Sequence, residues 1–462
     1  MKNIIEHNIL DLLDKGKRPP KGAIDEVIAK SLSLKRLSLG ETSYLLNARR
    51  DEDVRKILEA ASLVKKRIYG SRVVLFAPLY INNICANNCL YCAFRKGNSL
   101  IKRRRLEQED IAKEAEALLK SGHKRVLMVA SESGAKSSDE AAYYAEAIRT
   151  VYSQEYKQSR VRRININCAP LLEEDFKVLK ASGIGTYQLF QETYHDETYR
   201  RVHPSGPKSD PDNRIDAIDR AFRAGIDDVG IGVLFGLYDY KFEVLALLSH
   251  VEHLEKTFGV GPHTISVPRI EPALGADIED AAPYKVQDED FKKLVAVLRL
   301  SVPYTGIILS TRETPAMRDE LFRLGISQVS AASRTAPGGY SEERREGDDA
   351  QFFLSDHRSL DEVISSLIDR GAIPSFCTAC YRKERTGKAF MDLAKPGTIK
   401  GKCGMNALIT LKEYLNDFAS EDVKKKGNAL IDKLKQDLSE EEKKNLENFF
   451  KHIENGVRDE HV

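Results

Sequence analysis

Eight short apolar runs, each separated from the next by an amphipathic segment, constrain this chain more than any other feature of its sequence. They lie between residues 73 and 334, and several intervening segments place apolar residues at helical spacing. The runs are VVLFAPLYI, RVLMVAS, RININCA, TYQLFQET, DVGIGVLFG, TISVPRIE, GIILSTRE and QVSAASR. Strand–helix alternation repeated in this way predicts an α/β fold, a (β/α)8 TIM barrel, with functional groups at the carboxyl ends of the strands.

Helical patterns flank the predicted barrel on both sides. Residues 1–70 are expected to form a helical N-terminal extension, residues 71–334 the barrel, and residues 335–462 a mostly helical C-terminal domain. Near the end of the chain, Ser439 and Glu442 form a capping-box pattern ahead of apolar residues at helical spacing. This pattern predicts a terminal helix that packs on the rest of the protein.

Composition argues against several classes of function. Of the 462 residues 42% are apolar and 31% charged, and no apolar run reaches the ~18 residues that a membrane span needs. The first residues carry acids and an amphipathic repeat, which is not the pattern of a secretory signal, so we expect a cytoplasmic protein without membrane contact. The 72 lysines and arginines nearly balance the 70 aspartates and glutamates, and basic runs are short. Nucleic acid is therefore not an expected partner.

The seven cysteines fall into two groups of three and one single residue. A disulfide framework would pair its sulfurs, whereas two groups of three indicate two metal sites. The single residue, Cys168, lies on the third predicted strand. We expect it to be a small buried apolar side chain.

The first triplet, Cys85, Cys89 and Cys92, has CxxxCxxC spacing and follows the first predicted strand directly. Its thiolates would lie on one loop at the barrel mouth, where they can converge on one cluster. A cubane iron–sulfur cluster normally takes four thiolates, so three leave one iron open to a small molecule. The alternatives are a structural zinc site, which takes four ligands, and scattered buried thiols.

With this motif on a barrel, the chain resembles the radical S-adenosylmethionine (SAM) superfamily. The resemblance implies a barrel of radical SAM type and a [4Fe-4S] cluster whose open iron binds SAM, which is cleaved to a 5′-deoxyadenosyl radical. It further implies that Tyr91 lies against the adenine, Glu132 near the SAM ammonium group and Glu192 near the ribose hydroxyls. The family's glycines before the first of these acids are replaced here by Ala130 and Ser131. Packing beside the loop is the alternative for the tyrosine, and a solvent-facing side chain for Glu192.

The second triplet, Cys377, Cys380 and Cys403, forms CxxC followed by 22 residues and another cysteine. Three sulfurs again have no obvious fourth partner. A zinc knuckle completed by His357 is the alternative, but a histidine twenty residues before the motif fits compact zinc spacings poorly. We therefore expect an auxiliary iron–sulfur cluster.

A radical SAM barrel with this cysteine tail resembles the HydG family of tyrosine lyases of [FeFe]-hydrogenase maturation over nearly the whole chain. The resemblance implies cleavage of the Cα–Cβ bond of L-tyrosine to p-cresol and a dehydroglycine fragment. That fragment would become CO and cyanide at the auxiliary cluster, for assembly of the hydrogenase H-cluster. His263, otherwise an ordinary turn residue, would help to hold an additional iron there. The alternatives are a ThiH-type 2-iminoacetate synthase for thiazole biosynthesis, which lacks the tail, and a non-catalytic iron–sulfur scaffold.

Substrate and partners follow from the same resemblance. Ser310 and Arg312, at the end of the seventh predicted strand, are positioned to contact the tyrosine carboxylate, because arginine offers a planar fork of donors. Arg269 and Arg334 could share this role, and a surface salt bridge is the alternative. The implied partners are an electron donor such as flavodoxin or ferredoxin, the HydF scaffold and HydE.

Overall fold

The computed structural model describes residues 6–342 and 349–462. Residues 1–5 and 343–348, which belong to the predicted N-terminal and C-terminal regions, lie outside the described part. Eight parallel strands close into a barrel, which confirms the predicted fold. The barrel strands are β1 (Arg72–Asn82), β2 (Arg125–Ala130), β3 (Arg163–Asn167), β4 (Thr186–Glu192), β5 (Asp228–Val233), β6 (Thr264–Ser266), β7 (Gly306–Leu309) and β8 (Gln328–Ser330).

The barrel closes where β1 pairs with both the last and the second strand. Residues 74–76 of β1 pair in parallel with residues 328–330 of β8, and residues from Ala77 onward pair with β2. Every residue of β1 is buried, as expected for a parallel strand covered on both faces. The main hydrophobic core lies between the barrel and the surrounding helices.

Helices precede, surround and follow the barrel. The leading helices are α1 (Glu6–Gly16), α2 (Ala23–Leu32), α3 (Leu39–Asn47) and α4 (Asp51–Tyr69). Those within the barrel region are α5 (Gln108–Lys120), α6 (Ser137–Ser153), α7 (Glu173–Ala181), α8 (Asp196–Val202), α9 (Pro211–Arg223), α10 (Tyr240–Phe258), α11 (Ile278–Ala281), α12 (Asp288–Ser301) and α13 (Pro315–Leu324). A short antiparallel pair (Glu155–Tyr156 with Ser159–Arg160) and a 3-10 turn (Pro207–Ser209) complete this part. Within the described ranges, no helix is long and apolar enough to cross a membrane.

The C-terminal region is mostly helical, as predicted. Its helices are α14 (Leu360–Asp369), α15 (Ala379–Arg382), α16 (Gly387–Ala394), α17 (Ile399–Asp417), α18 (Glu421–Lys435) and α19 (Glu440–Glu454). The predicted capping box is present at α19, where Ser439 accepts a hydrogen bond from the backbone N–H of Glu442 and the Glu442 side chain returns one.

A ninth strand, β9 (Ile373–Ser375), was not predicted. It pairs in parallel with residues 72–74, at the first residues of β1. Three residues with a central proline carry no strand pattern that a sequence can display. This pairing nevertheless anchors the C-terminal region at the amino end of the barrel.

The length of β1 separates the two cysteine triplets. The first triplet follows the carboxyl end of this strand, and Cys377 follows β9, which pairs with its amino end. Eleven residues at ~3.3 Å each span roughly 35 Å. The two groups therefore lie at opposite ends of the barrel.

Candidate active site

One cavity at the carboxyl ends of the strands brings most of the predicted site residues together. Its volume is about 220 Å³. The predicted residues that line it are Cys85, Cys89, Tyr91, Cys92, Glu132, Glu192, Ser310 and Arg312. Arg269, His263 and the second triplet do not line it.

The first triplet lies in the irregular loop between β1 and α5. Backbone N–H groups of this loop donate to the carbonyl oxygens of Glu132, after β2, and Val202, at the end of α8, at 2.7 and 3.0 Å. Cys89 is buried, Cys85 and Cys92 are half-buried, and all three are free thiols. The loop therefore obtains its conformation from its neighbours and directs three thiols toward the cavity.

Burial raises the pKa of all three thiols of the first triplet. For Cys89 the pKa rises to about 12, and the other two thiols add to the effect of burial. A metal ligand must lose its proton, so thiolates form here only with a compensating cation. In residues 6–342 and 349–462, no three His, Cys, Asp or Glu side chains converge on a single metal ion. A cubane would take the three thiolates on separate irons.

Tyr91 is oriented by a buried histidine and a lysine. Burial holds the pKa of His203 well below its ordinary value, so the ring is neutral. Its Nδ1 lies 2.8 Å from the carbonyl oxygen of Tyr199 and therefore carries the proton. Nε2 then accepts from the Tyr91 hydroxyl at 2.8 Å, and this hydroxyl accepts from Lys208 Nζ at 3.0 Å. These two hydrogen bonds fix the orientation of the Tyr91 ring within the cysteine loop.

Glu192 is an ionised carboxylate at the end of β4. Burial alone would raise its pKa, but the charges of Lys208 and Arg214, at 2.7 and 3.5 Å, outweigh burial and lower it. Its backbone has a φ of 72°, next to a register shift in the β4–β5 pairing after Phe190. Such a distortion re-aims the side chain at a strand end. Glu192 lines the cavity and is thus not the solvent-facing residue of the alternative.

Glu132 is linked to the cysteine loop by a side chain of the loop itself. Asn87 donates to the Glu132 carboxylate at 2.6 Å and accepts from the backbone N–H of Lys208 at 2.8 Å. Asn87 thereby links the carboxylate after β2 to the lysine that pairs with Glu192. Both acids therefore line the same cavity as the triplet and are connected through one side chain of its loop.

Ser310 and Arg312 lie on the opposite side of the cavity, after β7. The Arg312 guanidinium lies 3.3 Å above the centre of the Phe352 ring. Within the described part of the chain it forms no ion pair, so its fork of donors is available to a ligand carboxylate. The Ser310 hydroxyl accepts from the Arg312 backbone N–H at 3.3 Å. Both side chains line the cavity.

Arg269 was expected to share the carboxylate contact with Arg312, but its guanidinium is bound elsewhere. Its Nε donates to Glu313 at 2.9 Å and its Nη2 to the same carboxylate, while Nη1 binds Val286 and Asp288. All three guanidinium nitrogens are engaged, and the side chain lies outside the cavity lining. The structure therefore does not place Arg269 with Ser310 and Arg312 in the cavity, and Arg334 is an exposed residue beyond β8.

The second triplet is assembled from three elements below the barrel. Cys377 follows β9, Cys380 lies in α15 and Cys403 in α17. The carbonyl oxygen of Cys377 accepts from Nη1 of Arg125, the first residue of β2, at 2.6 Å. The amino ends of the barrel strands therefore form one wall of this site.

Arginines surround the second triplet. Burial and the neighbouring Cys403 raise the pKa of Cys377, whereas Arg72 and Arg125 oppose this rise. Burial and the other two thiols likewise raise the pKa of Cys380 to about 11. The arginines thus offset part of the charge that three thiolates would create.

His263 contacts the segment that carries the second triplet. Its Nε2 is 3.2 Å from the hydroxyl of Tyr381, the residue after Cys380, and its Nδ1 is 3.4 Å from an oxygen of Asp228. The imidazole is buried, and its ring packs 4.5 Å from that of Phe390. His263 directly precedes β6. The fold thus brings this barrel residue into contact with the cysteine tail.

Several cavity residues have no signal in the sequence. Lys208 and Arg214 follow β4 in an irregular stretch and the next helix, and Gln351 and Phe352 return from the C-terminal region to the cavity. Cys168 is buried as expected and also lines the cavity.

Two family models match consecutive parts of the chain. The radical SAM superfamily model matches residues 79–249, and the model of the Biotin and Thiamin Synthesis associated domain matches residues 266–373. The 2-iminoacetate synthase of Salmonella typhimurium strain LT2 is 32% identical over 349 residues, which are 75% of this chain and 89% of that protein.

Solved structures extend the similarity to the cysteine tail. A crystal structure of HydG, a maturase of the [FeFe]-hydrogenase, is 45% identical, with 100% of both chains covered and a TM-score of 0.96. HydG from Carboxydothermus hydrogenoformans is 44% identical, with 98% of each chain covered and a TM-score of 0.84. The chain therefore belongs to the radical SAM superfamily and, within it, to the HydG family of maturases.

Proposed function

We propose that this enzyme is a radical SAM lyase that cleaves the Cα–Cβ bond of L-tyrosine to p-cresol and a dehydroglycine fragment. The fragment becomes CO and cyanide at the auxiliary cluster, for assembly of the [FeFe]-hydrogenase H-cluster. The single observation that carries this proposal is that one chain combines a cavity lined by the first triplet and Arg312, which has no ion-pair partner in the described part of the chain, with a second triplet at the other barrel end.

The cofactors of the first site follow from family membership. A radical SAM domain implies a [4Fe-4S] cluster and SAM. The three thiols of the cysteine loop fit the cluster, since they are free and on one loop. When bound, the cluster supplies the electron that cleaves SAM to methionine and a 5′-deoxyadenosyl radical.

The side chains around the loop would hold SAM in one orientation. Glu192 is ionised and accepts hydrogen bonds from the ribose hydroxyls, while Lys208 and Arg214 keep this charge stable in a buried position. Glu132 accepts from the ammonium group, and Tyr91 packs against the adenine.

Ser310 and Arg312 would bind the tyrosine carboxylate. The guanidinium rests on the Phe352 ring, which fixes its plane and leaves the fork directed at the ligand. Binding the carboxylate here presents the remainder of the amino acid to the SAM side of the same cavity. Arg269 has no part in this arrangement because its guanidinium is paired elsewhere.

The second triplet would hold the auxiliary cluster. Cys377, Cys380 and Cys403 supply three thiolates, and the arginines at the strand ends balance their charge. His263 would help to hold an additional iron, with Asp228 near its second ring nitrogen. The proposed partners are a flavodoxin or ferredoxin as electron donor, the HydF scaffold and HydE.

A second candidate function is that of a 2-iminoacetate synthase. It is favoured by the 32% identity with the Salmonella enzyme of that name. Such an enzyme would share tyrosine cleavage but would release a fragment that hydrolyses to glyoxylate, without CO. The second triplet favours the first candidate.

Anaerobic incubation of the reduced, cluster-loaded protein with SAM and L-tyrosine tests the proposal. We expect p-cresol together with 5′-deoxyadenosine, and then cyanide and CO. Absence of p-cresol would reject both lyase candidates, and glyoxylate without CO would favour the second. A protein that acts only as an iron–sulfur scaffold would not consume SAM at all.

A further inference from the structure

Gln351 contacts the first cysteine triplet from a segment distant in sequence. Its Nε2 donates to Sγ of Cys92 at 3.7 Å, and its Oε1 accepts from the hydroxyl of Tyr80 at 2.7 Å. All three residues line the cavity. The cysteine motif extends only from residue 85 to residue 92, so it contains no sign of this contact.

The main chain fixes Gln351 in this position. Its backbone N–H donates to the carbonyl oxygen of Thr335 at 2.9 Å, and its own carbonyl oxygen accepts from the N–H of Ala93 at 3.3 Å. Ala93 directly follows Cys92, so the segment is bound to the cysteine loop at two points. Because the Tyr80 hydroxyl occupies the amide oxygen, the N–H donors face the sulfur.

We propose that Gln351 tunes the reduction potential of the cluster held by the first triplet, through its hydrogen bond to Cys92. This inference rests on the proposed function, since it requires Cys92 to be a cluster ligand. Reduction of the cluster by one electron, from a low-potential external donor, increases the negative charge that the ligand sulfurs share. An N–H donor at a sulfur stabilises this charge and makes reduction easier.

Gln351 is therefore a positioning residue that acts through a cluster ligand. Its bond to Cys92 forms no covalent link and transfers no proton. The half-buried position of the bond makes the effect larger than it would be in water, because the local dielectric constant is lower. The adjacent residue, Phe352, supports Arg312, so this segment contacts both the cysteine side and the substrate side of the cavity.

Redox titration of the full-length, cluster-loaded protein, monitored by EPR, tests the inference. The first cluster is identified by the change of its signal when SAM is added, and the titration itself is run without SAM. Gln351→Leu removes the donor, and Gln351→Glu keeps an acceptor for Tyr80 but replaces the donor with a carboxylate. We expect the midpoint potential to become more negative in the first variant and more negative still in the second.

Gln188→Leu is the matched control. Gln188 is a buried glutamine on β4 that lines the same cavity, and it makes no hydrogen bond to a cysteine among the described residues. Gln188→Leu replaces an amide in the cavity lining with an apolar side chain, as Gln351→Leu does. We expect its midpoint potential to match that of the wild type.

Unchanged midpoints in both Gln351 variants, in protein whose cluster still responds to SAM, would overturn the inference. A wild-type cluster that never responds to SAM would instead reject the proposed function, so the two failures are distinguishable. If the Gln351 variants fail to assemble a cluster, Tyr80→Phe tests the same bond by releasing the amide from its anchor. A smaller negative shift there supports the inference, and an unchanged midpoint overturns it.

Discussion

The two cysteine triplets have the same number of sulfurs but different surroundings. The first lies within eight residues of one loop and faces a cavity that also contains two acids and an unpaired arginine. The second spans 27 residues, from the segment after β9 through α15 to α17, and its neighbours are Arg72, Arg125 and Arg385. Both sites have cations near their thiols, Lys208 at the first and the arginines at the second, but only the first also faces a cavity with side chains for an organic ligand.

The comparison shows that a group of three cysteines indicates where a cluster could bind. The side chains around the cysteines indicate which reaction the cluster could support. At the barrel mouth, Glu132, Glu192 and Arg312 offer distinct contacts to the parts of a bound molecule. At the amino end, the strand-end arginines favour negative charge, and His263 lies between Tyr381 and Asp228. Variants at the two sites should therefore change different products.

The largest effect is expected from Cys89→Ala. Removing a thiol leaves one iron of the first cluster without its protein ligand, so formation of both 5′-deoxyadenosine and p-cresol should fall to background. Product analysis by chromatography measures both. Cys168→Ala removes a buried thiol outside both triplets and should retain the full iron content. p-Cresol formation by Cys89→Ala would contradict the assignment of the first triplet as the site of the cluster that cleaves SAM.

A smaller effect is expected from Arg312→Lys. Lysine keeps the charge but loses the planar fork, which costs about 1.5–3 kcal/mol, or roughly 10- to 100-fold in KM for L-tyrosine. Steady-state kinetics of p-cresol formation measure this change. Arg269→Lys is the control, since its pairing with Glu313 lies outside the cavity. If Arg269→Lys raised the KM for L-tyrosine and Arg312→Lys did not, carboxylate binding would be assigned to Arg269.

The smallest effect is expected from Asp228→Asn. The carboxylate lies near Nδ1 of His263, and loss of such an outer partner weakens metal binding by roughly 10-fold or somewhat more. We expect less of the additional iron to remain after treatment with a chelator, with unchanged p-cresol formation. Iron analysis per chain measures the loss. Asp227→Asn, a change at the adjacent exposed residue, should retain the iron.

The barrel could be predicted because each strand and helix carries its own periodic pattern, and the cysteines because their spacing is local. β9 could not, since three residues around Pro374 acquire strand structure only by pairing with β1. The pairing of Arg269 with Glu313 joins residues 44 positions apart. Gln351 likewise reaches Cys92 only through the fold. Contacts between distant segments are set by tertiary packing, which no local pattern records.

The central claim is that the first triplet cleaves tyrosine and the second converts the fragment. Anaerobic assay of a Cys377→Ala plus Cys380→Ala variant, with p-cresol, cyanide and CO quantified in the same incubation, tests it most directly. We expect p-cresol to persist within a few-fold of the wild type, while cyanide and CO fall to background. Retained cyanide and CO, or the loss of p-cresol as well, would contradict the division between the two sites.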